Sequence, residues 1–238
     1  CVKIGSGELT NLPLIVAHAK TGADVILSTG MATIGEVEDA LAALSFGYLS
    51  DDFSPKNYRS LKLNYFTSEK LKQISNKVTI LHCVTDYPAQ HEDLNLSAIT
   101  QLKTLFGMDV GYSDHSIGNE ACCAAVALGA VCIEKHITLD KELPGPDHKA
   151  SSNPEEFMGL VKSIRNLEKS LEPKVKAPTL RETANLEVAR KYVVASRNID
   201  KGEQLSSDNL TVLRASSGVS PARFWDLIGK VSTKGYKA

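Results

Sequence analysis

The sequence lacks the features that would assign it to a membrane, secreted or nucleotide-binding class. It contains no apolar run long enough to cross a bilayer and no secretory signal-peptide pattern. Neither a Walker motif nor a GxGxxG motif is present, so nothing supports a nucleotide site. A formal net charge of -1 gives no general attraction to nucleic acid or to a membrane surface. We therefore expect a protein that acts on small molecules, without nucleic-acid or membrane partners.

Cysteine usage argues against an extracellular disulfide scaffold. The five cysteines form an odd number, and no two of them have CxxC spacing. The adjacent Cys122 and Cys123 lie in an alanine-rich segment, where we expect small core residues. The count and spacing favour a reducing compartment, so we expect a cytoplasmic protein.

Alternating apolar runs and helical segments dominate the first part of the chain. The apolar runs are 2–7, 25–30, 78–83 and the two runs that end at Ser113 and His136. Each is followed by a segment with helical periodicity, and this alternation predicts a parallel α/β sheet, either a barrel or an open sheet. In both folds the site lies at the carboxyl ends of the strands.

Local signals predict where several helices begin and end. Thr33 begins a capping box for a helix that we expect to end near Leu44. Residues 45–65 break the periodicity and are expected to form a long loop. Asn95 is predicted to cap a helix that Gly107 ends.

The composition changes after residue 172. Residues 173–187 are rich in lysine and proline and are predicted to be a linker. Short strands with an intervening turn follow, so residues 188–238 are predicted to form a small β-rich domain. The sequence therefore predicts a domain over 1–172, a linker and a second, smaller domain.

Two histidines lie at matching strand ends. Side chains alternate along a strand, so Ser113 and His115 point to the same side of their strand, as do Glu134 and His136 of theirs. The helix between the two strands implies that they are parallel neighbours about 4.8 Å apart, so both histidines could reach one ion. Such a pair suits a divalent metal that polarises a carbonyl, with Glu134 as proton shuttle. The alternatives are hydrogen-bonded structural histidines, and a glutamate paired with a buried lysine.

Further strand-end residues suit an anion and a sugar. One cation and three hydroxyls beside glycines are suited to a phosphate, although each serine alone could merely cap a turn. Tyr87 and Asp147 suit sugar hydroxyls, but by themselves they are more typical of loop structure. The phosphate group of residues comprises Lys3, Ser6, Ser28 and Ser113.

Taken together and in order, seven short motifs resemble the sialic acid synthase family, which includes N-acetylneuraminate, legionaminate and pseudaminate synthases. Each motif is weak alone, but the resemblance covers nearly the whole chain. The motifs are KIGSGE at 3–8, LSTGM at 27–31, HC at 82–83, YP at 87–88, YSDH at 112–115, EKH at 134–136 and GPDH at 145–148.

The resemblance implies a fold and a reaction. The fold would be the last five units of a (βα)8 TIM barrel, followed by a small antifreeze-like (SAF) domain. Because the chain opens on Cys1, we expect the first barrel strands to be absent and this fragment alone to be inactive. The reaction would condense phosphoenolpyruvate with N-acetylmannosamine or a 2,4-diacetamido-trideoxy hexose, giving a nonulosonic acid and phosphate.

The resemblance also implies residue roles. Lys3, Ser6, Ser28 and Ser113 would hold the phosphate, His115 and His136 a Mn²⁺ or Mg²⁺ ion, with Glu134 beside them. Tyr87 and Asp147 would contact the sugar. Arg214 would reach the partner's site in a domain-swapped homodimer, the alternative being a surface arginine paired with Glu203 or Asp208. Thr85-Asp86, in place of an asparagine-containing turn, favours a legionaminate-like sugar, and Ala215-Ser216 replaces the usual Pro-Gly.

Three other interpretations remain open on the sequence. One is a sugar aldolase that forms a Schiff base on Lys3 or Lys135. Another is an inactive truncated homologue. The third, an ice-binding C-terminal module, is disfavoured by its many charged residues, since such a surface should be weakly charged.

Overall fold

The structure is a computed structural model that describes residues 1–238, apart from the side chain of Glu187. The chain divides into two units, Cys1–Glu172 and Pro173–Ala238. The first contains a five-stranded sheet and the second a two-stranded antiparallel sheet. No helix among the described residues is both long and apolar enough to cross a membrane.

The first unit alternates strands and helices, as predicted. Its strands are β1 (Val2–Ile4), β2 (Val25–Ser28), β3 (Val78–Cys83), β4 (Asp109–Asp114) and β5 (Ile133–Lys135). Its helices are α1 (Leu12–Lys20), α2 (Ile34–Leu49), α3 (Tyr58–Tyr65), α4 (Ser68–Ile74), α5 (Ser97–Phe106), α6 (Glu120–Ala127) and α7 (Pro154–Leu171).

The strand order distinguishes a barrel from an open doubly wound sheet. All neighbouring strands are parallel, and the order β1-β2-β3-β4-β5 follows the chain without reversal. Right-handed crossovers in one direction place every connecting helix on the same face, whereas a doubly wound sheet reverses its order at a switch point. The five strands therefore form an arc of a TIM barrel, which confirms the partial barrel that the family resemblance implies.

The two faces of the arc differ sharply in composition. The outer face, toward the helices, carries the buried apolar residues of the core, including Ile4, Leu27, Ile80 and Val110. The register pairs Cys83 with Ser113 and Ser113 with Glu134, so these side chains share the opposite, inner face. Burial of the outer face against helices thus leaves the inner face for polar side chains.

The predicted loop over residues 45–65 is wrong. The helix α2 continues to Leu49 because Leu44 and Phe46 are buried and extend its apolar face. An Asn57 capping box then begins α3, so only residues 50–57 connect the two helices. Small residues and a glycine within α2 obscured its periodicity in the sequence.

The predicted cap at Asn95 is also wrong. Asn95 has a positive φ of 43°, and its Oδ1 accepts a hydrogen bond from Ser97 Oγ at 2.7 Å. Leu96 occupies the position before α5 without a side-chain cap. Gly107, in the left-handed conformation at φ 62°, ends the helix as predicted.

The second unit contains α8 (Leu180–Ala189), β6 (Lys191–Ala195), β7 (Leu210–Arg214) and α9 (Phe224–Leu227). Its small core consists of Val193, Ile199 and Leu210 with partly buried neighbours. The helix α8 occupies much of the segment 173–187 that we predicted as a linker. It forms because Thr179 and Glu182 make a reciprocal capping box that the sequence analysis overlooked.

The crossing of α1 and α2 depends on a glycine. A Cβ at Gly47 would lie 2.5 Å from Ala19 Cβ and 2.9 Å from the Val16 carbonyl oxygen. We expect Gly47→Ala to lower the free energy of unfolding by about 1–3 kcal/mol through overpacking. The matched control is Gly159→Ala on exposed α7, where a Cβ meets nothing within 4 Å. Equal urea midpoints for the two variants would contradict this account.

Candidate active site

The two histidines predicted to share an ion lie side by side. His115 directly follows β4 and His136 directly follows β5, and the register pairs Asp114 with Lys135 immediately before them. Their ring centroids are 5.2 Å apart in an edge-to-face arrangement. The prediction that these strands are parallel neighbours is thus confirmed, and both imidazoles reach the same place.

Hydrogen bonding fixes the orientation of His115. Its Nδ1 lies 2.5 Å from the carbonyl oxygen of Val84, which only a protonated Nδ1 can satisfy as donor. Burial lowers the pKa of His115 and nearby His136 lowers it further, although the Val84 bond opposes both. A neutral ring with Nδ1 occupied leaves Nε2 as its electron-pair donor, on the side of Ser113 Oγ at 3.4 Å.

Glu134 lies between Lys3, the cation of the site, and Ser113, which is next to His115. Ser113 Oγ donates to Glu134 Oε1 at 2.8 Å, and Lys3 Nζ lies 3.4 Å from the same oxygen. The Lys3 and Glu134 side chains are 36% and 41% exposed, so neither is locked away from a ligand. The alternative of a glutamate paired with a lysine is therefore realised, but with the half-exposed Lys3 on the inner face.

Two of the predicted phosphate residues lie on the β2 and β3 side. Ser28 ends β2 and is buried. Ser6 Oγ accepts a hydrogen bond from the Gly30 amide at 3.0 Å and lies 3.2 Å from Cys83 Sγ. A Cβ at Gly30 would lie 2.1 Å from Thr85 Oγ1 and 2.7 Å from Ser6 Oγ, so glycine is needed for this approach.

Cys83 was not predicted as a site residue, although the period of the strand places it on the inner face, and Thr85 was given no contact of its own in the site. Their contacts with Ser6 and Gly30 come from loops that cross between strand ends, which no periodic pattern specifies. The carbonyl of Val84 was missed for the same reason.

The structure brings Tyr87 and Asp147 to the histidine pair. The Tyr87 ring lies 4.3 Å from the His115 ring and 5.6 Å from the His136 ring, between centroids. Asp147 Oδ2 lies 3.8 Å from His136 Nδ1. Burial, followed by the nearby Cys83, Asp147 and Glu134, raises the pKa of Tyr87, so its hydroxyl remains a hydrogen-bond donor. Both residues thus border the site rather than serving only their loops.

A buried ion pair occupies the opposite face of the same strands. Lys135 Nζ lies 2.6 Å from Asp114 Oδ2, and the two side chains are 2% and 0% exposed. Burial opposes ionisation of Asp114, but hydrogen bonds from Lys135, Ser116 and Cys122 outweigh it and lower its pKa. A lysine held in this way has no access to a carbonyl substrate, which argues against a Schiff base on Lys135.

The remaining predicted site residue lies in the second unit. Arg214 ends β7 and is exposed, while Glu203, one alternative partner, pairs with Arg197 at 2.8 Å. Within the described residues, no cluster of three or more His, Cys, Asp or Glu side chains could hold a metal ion. Among the described side chains, His115 and His136 are therefore the candidate ligands for a metal at the inner face.

Comparison with known proteins identifies the family to which a chain with this fold and site belongs. Residues 1–176 match the NeuB family, and residues 190–234 match the SAF domain. The chain therefore belongs to the NeuB family of sialic acid synthases and carries an SAF domain.

Relatives with assigned names include two enzymes of different organisms. The N,N'-diacetyllegionaminic acid synthase of Campylobacter jejuni is 43% identical over 235 residues, which cover 99% of this chain and 63% of that protein. The human N-acetylneuraminate-9-phosphate synthase is 34% identical over 230 residues, covering 96% of this chain and 56% of that protein. The chain thus spans less than two thirds of these relatives.

Solved structures support the same assignment. The Bacillus subtilis spore coat polysaccharide biosynthesis protein SpsE superposes with a TM-score of 0.57 at 34% identity, covering 99% of this chain and 64% of that one. The N-acetylneuraminic acid synthetase of Leptospira borgpetersenii, solved with citrate, gives 0.60 at 34% identity, covering 78% and 55%.

Proposed function

We propose that the protein condenses phosphoenolpyruvate with an N-acetylated amino sugar to form a nonulosonic acid. The observation that carries the proposal is the convergence of Lys3, Glu134, Ser113 and His115 through successive contacts of 3.4, 2.8 and 3.4 Å. One site then contains a cation that can bind an anion, a carboxylate that can transfer a proton and an imidazole that can bind a Lewis-acidic metal ion. The names of the family relatives favour the same chemistry.

The phosphate of phosphoenolpyruvate would bind Lys3 with the hydroxyls of Ser6, Ser28 and Ser113. A doubly charged phosphate competes with the single carboxylate of Glu134 for Lys3, since both partners are partly solvated in the free protein. Displacement of Lys3 would leave Glu134 beside Ser113 and the histidines, with a free oxygen to accept or deliver a proton.

His115 and His136 would hold a divalent ion, Mn²⁺ or Mg²⁺. The donor set fits, because His115 is neutral and presents Nε2 while its Nδ1 is bonded to Val84. Such an ion, when bound, polarises a carbonyl oxygen of the sugar aldehyde. The chain's own part is to orient the two rings and to surround the aldehyde with Glu134 and Tyr87.

The sugar would lie against Tyr87 and Asp147, beside the histidines. A diacetamido sugar of the legionaminate type is favoured by Thr85-Asp86 and agrees with the name of the Campylobacter jejuni relative. The Thr85 hydroxyl and the Ser6 hydroxyl both lie against Gly30, so this sequence difference is close to the predicted phosphate residues.

The metal assignment predicts the behaviour of two variants. His115→Ala and His136→Ala should each weaken Mn²⁺ binding at least tenfold, because each removes one of two protein ligands. Titration followed by the electron paramagnetic resonance signal of free Mn²⁺ measures this without any assay of activity.

His91→Ala is the matched control, because His91 lies in the short helical turn His91–Asp93, outside the pair. Full activity after EDTA treatment, with Mn²⁺ affinity unchanged in both variants, would contradict the metal assignment.

The phosphate assignment predicts a selective loss for Lys3→Ala. The Michaelis constant for phosphoenolpyruvate should rise at least tenfold, because a charged hydrogen bond is lost, while that for the sugar should change little. Lys72→Ala, on the exposed side of α4, is the control. A rise confined to the Michaelis constant for the sugar would contradict the phosphate assignment. Borohydride trapping of pyruvate on Lys3 would support the aldolase interpretation, because only the aldolase forms an imine.

We further propose that Arg214 acts in the site of a second copy within a homodimer, as the family resemblance implies. Its planar group of donors suits an acetamido carbonyl. Mixing Arg214→Ala protomers with His115→Ala protomers, each inactive alone, should restore activity, since one barrel and one SAF domain of the mixed dimer remain intact. If no mixture regains activity, each arginine serves its own barrel.

A further inference from the structure

The buried ion pair of Asp114 and Lys135 lies directly before the two site histidines. Asp114 precedes His115 on β4, and Lys135 precedes His136 on β5. Alternation of side chains places the pair on the outer face and the histidines on the inner face. The pair therefore joins the two strands one residue before the candidate metal ligands.

Further hydrogen bonds hold the chain on both sides of His115. Asp114 Oδ1 accepts from Ser116 N at 2.9 Å and from Ser116 Oγ at 2.7 Å. Lys135 Nζ donates to the Ser116 carbonyl oxygen at 2.8 Å. Residues before and after His115 are thus bound to one network, which leaves its backbone little freedom.

The same network is completed by groups from β4 and α6. Tyr112 Oη donates to Asp114 Oδ1 at 3.2 Å, and Cys122 Sγ donates to Asp114 Oδ2 at 3.0 Å. Asp114 therefore receives donors at both of its oxygens, and Lys135 has two acceptors. A pair so fully hydrogen-bonded has a single defined geometry.

Stability alone does not explain such a pair. Replacing a buried ion pair by apolar residues of similar volume is often neutral or stabilising, because desolvation offsets the attraction. What distinguishes the ion pair from such apolar residues is that its hydrogen bonds fix the positions of both side chains. We propose that Asp114 and Lys135 are positioning residues, which hold His115 and His136 at the spacing and ring orientation that one divalent ion requires. The inference rests on the proposed metal site for its ligand, but the geometry of the two rings can be tested apart from it.

The test compares two double variants of the full-length protein. D114L/K135M removes the pair while retaining much of the side-chain volume. D39L/K62M removes a different, partly buried ion pair of the first unit, between α2 and α3, far along the chain from the histidines. Mn²⁺ affinity should fall about 10- to 100-fold in D114L/K135M, the range typical of residues that orient metal ligands, and circular dichroism verifies that the variant is folded at the assay temperature. D39L/K62M should keep the wild-type affinity.

A crystal structure of metal-free D114L/K135M supplies the second measurement. We expect the ring separation to depart from 5.2 Å and the His115 contact with Val84 to be lost. Wild-type affinity together with unchanged ring geometry would overturn the proposal. If D114L/K135M does not fold, Asp114→Asn is the second variant, because it keeps the side-chain volume and an acceptor for Ser116. We expect a several-fold loss of Mn²⁺ affinity in Asp114→Asn. An unchanged affinity in that variant would also overturn the proposal. If wild-type protein binds no Mn²⁺, the metal assignment fails, and the ring geometry alone decides the positioning role.

Discussion

The alternation of side chains along parallel strands is the constraint on which the rest of the structure depends. With neighbouring strands about 4.8 Å apart and in register, every second residue lies beside its equivalent on the next strand. On one face this places Ile4, Leu27, Ile80 and Val110 against the helices. On the other it necessarily brings together whatever polar residues occupy the intervening positions. The apolar core and the candidate site thus both result from the same register between neighbouring strands.

Charged side chains on the two faces also differ in how far they are buried. On the outer face, Asp114 and Lys135 are fully buried and must satisfy each other, and hydrogen bonds keep the pKa of Asp114 below its usual value despite burial. On the inner face, the paired side chains of Lys3 and Glu134 remain more than a third exposed. The same charge types are therefore fully buried and paired on one face and paired but partly exposed on the other.

Much of this could be predicted from the sequence, because it follows from periodicity. The shared face of Ser113 and His115 and the meeting of His115 with His136 derive from a period of two and a crossover helix. Periodicity left the strand order open between a barrel and an open sheet, and the family resemblance implied the barrel order that the structure has. Interactions that depend on loops could not be predicted: the bond to the Val84 carbonyl, the approach of Thr85 to Gly30, and the ring contact of Tyr87 with His115. The helix α8 was missed because lysine and proline in 173–187 outweighed a single capping box.

The contact between Lys3 and Glu134 shows how far the arc is curved. Lys3 lies on β1 and Glu134 on β5, with three strands between them. In a flat sheet, four spacings of about 4.8 Å would separate their backbones by about 19 Å, beyond the combined reach of the two side chains. Their charged groups nevertheless lie 3.4 Å apart. The sheet must therefore curl around its inner face, and this curvature, rather than any single residue, brings the cation of the first strand to the carboxylate and histidines of the last two.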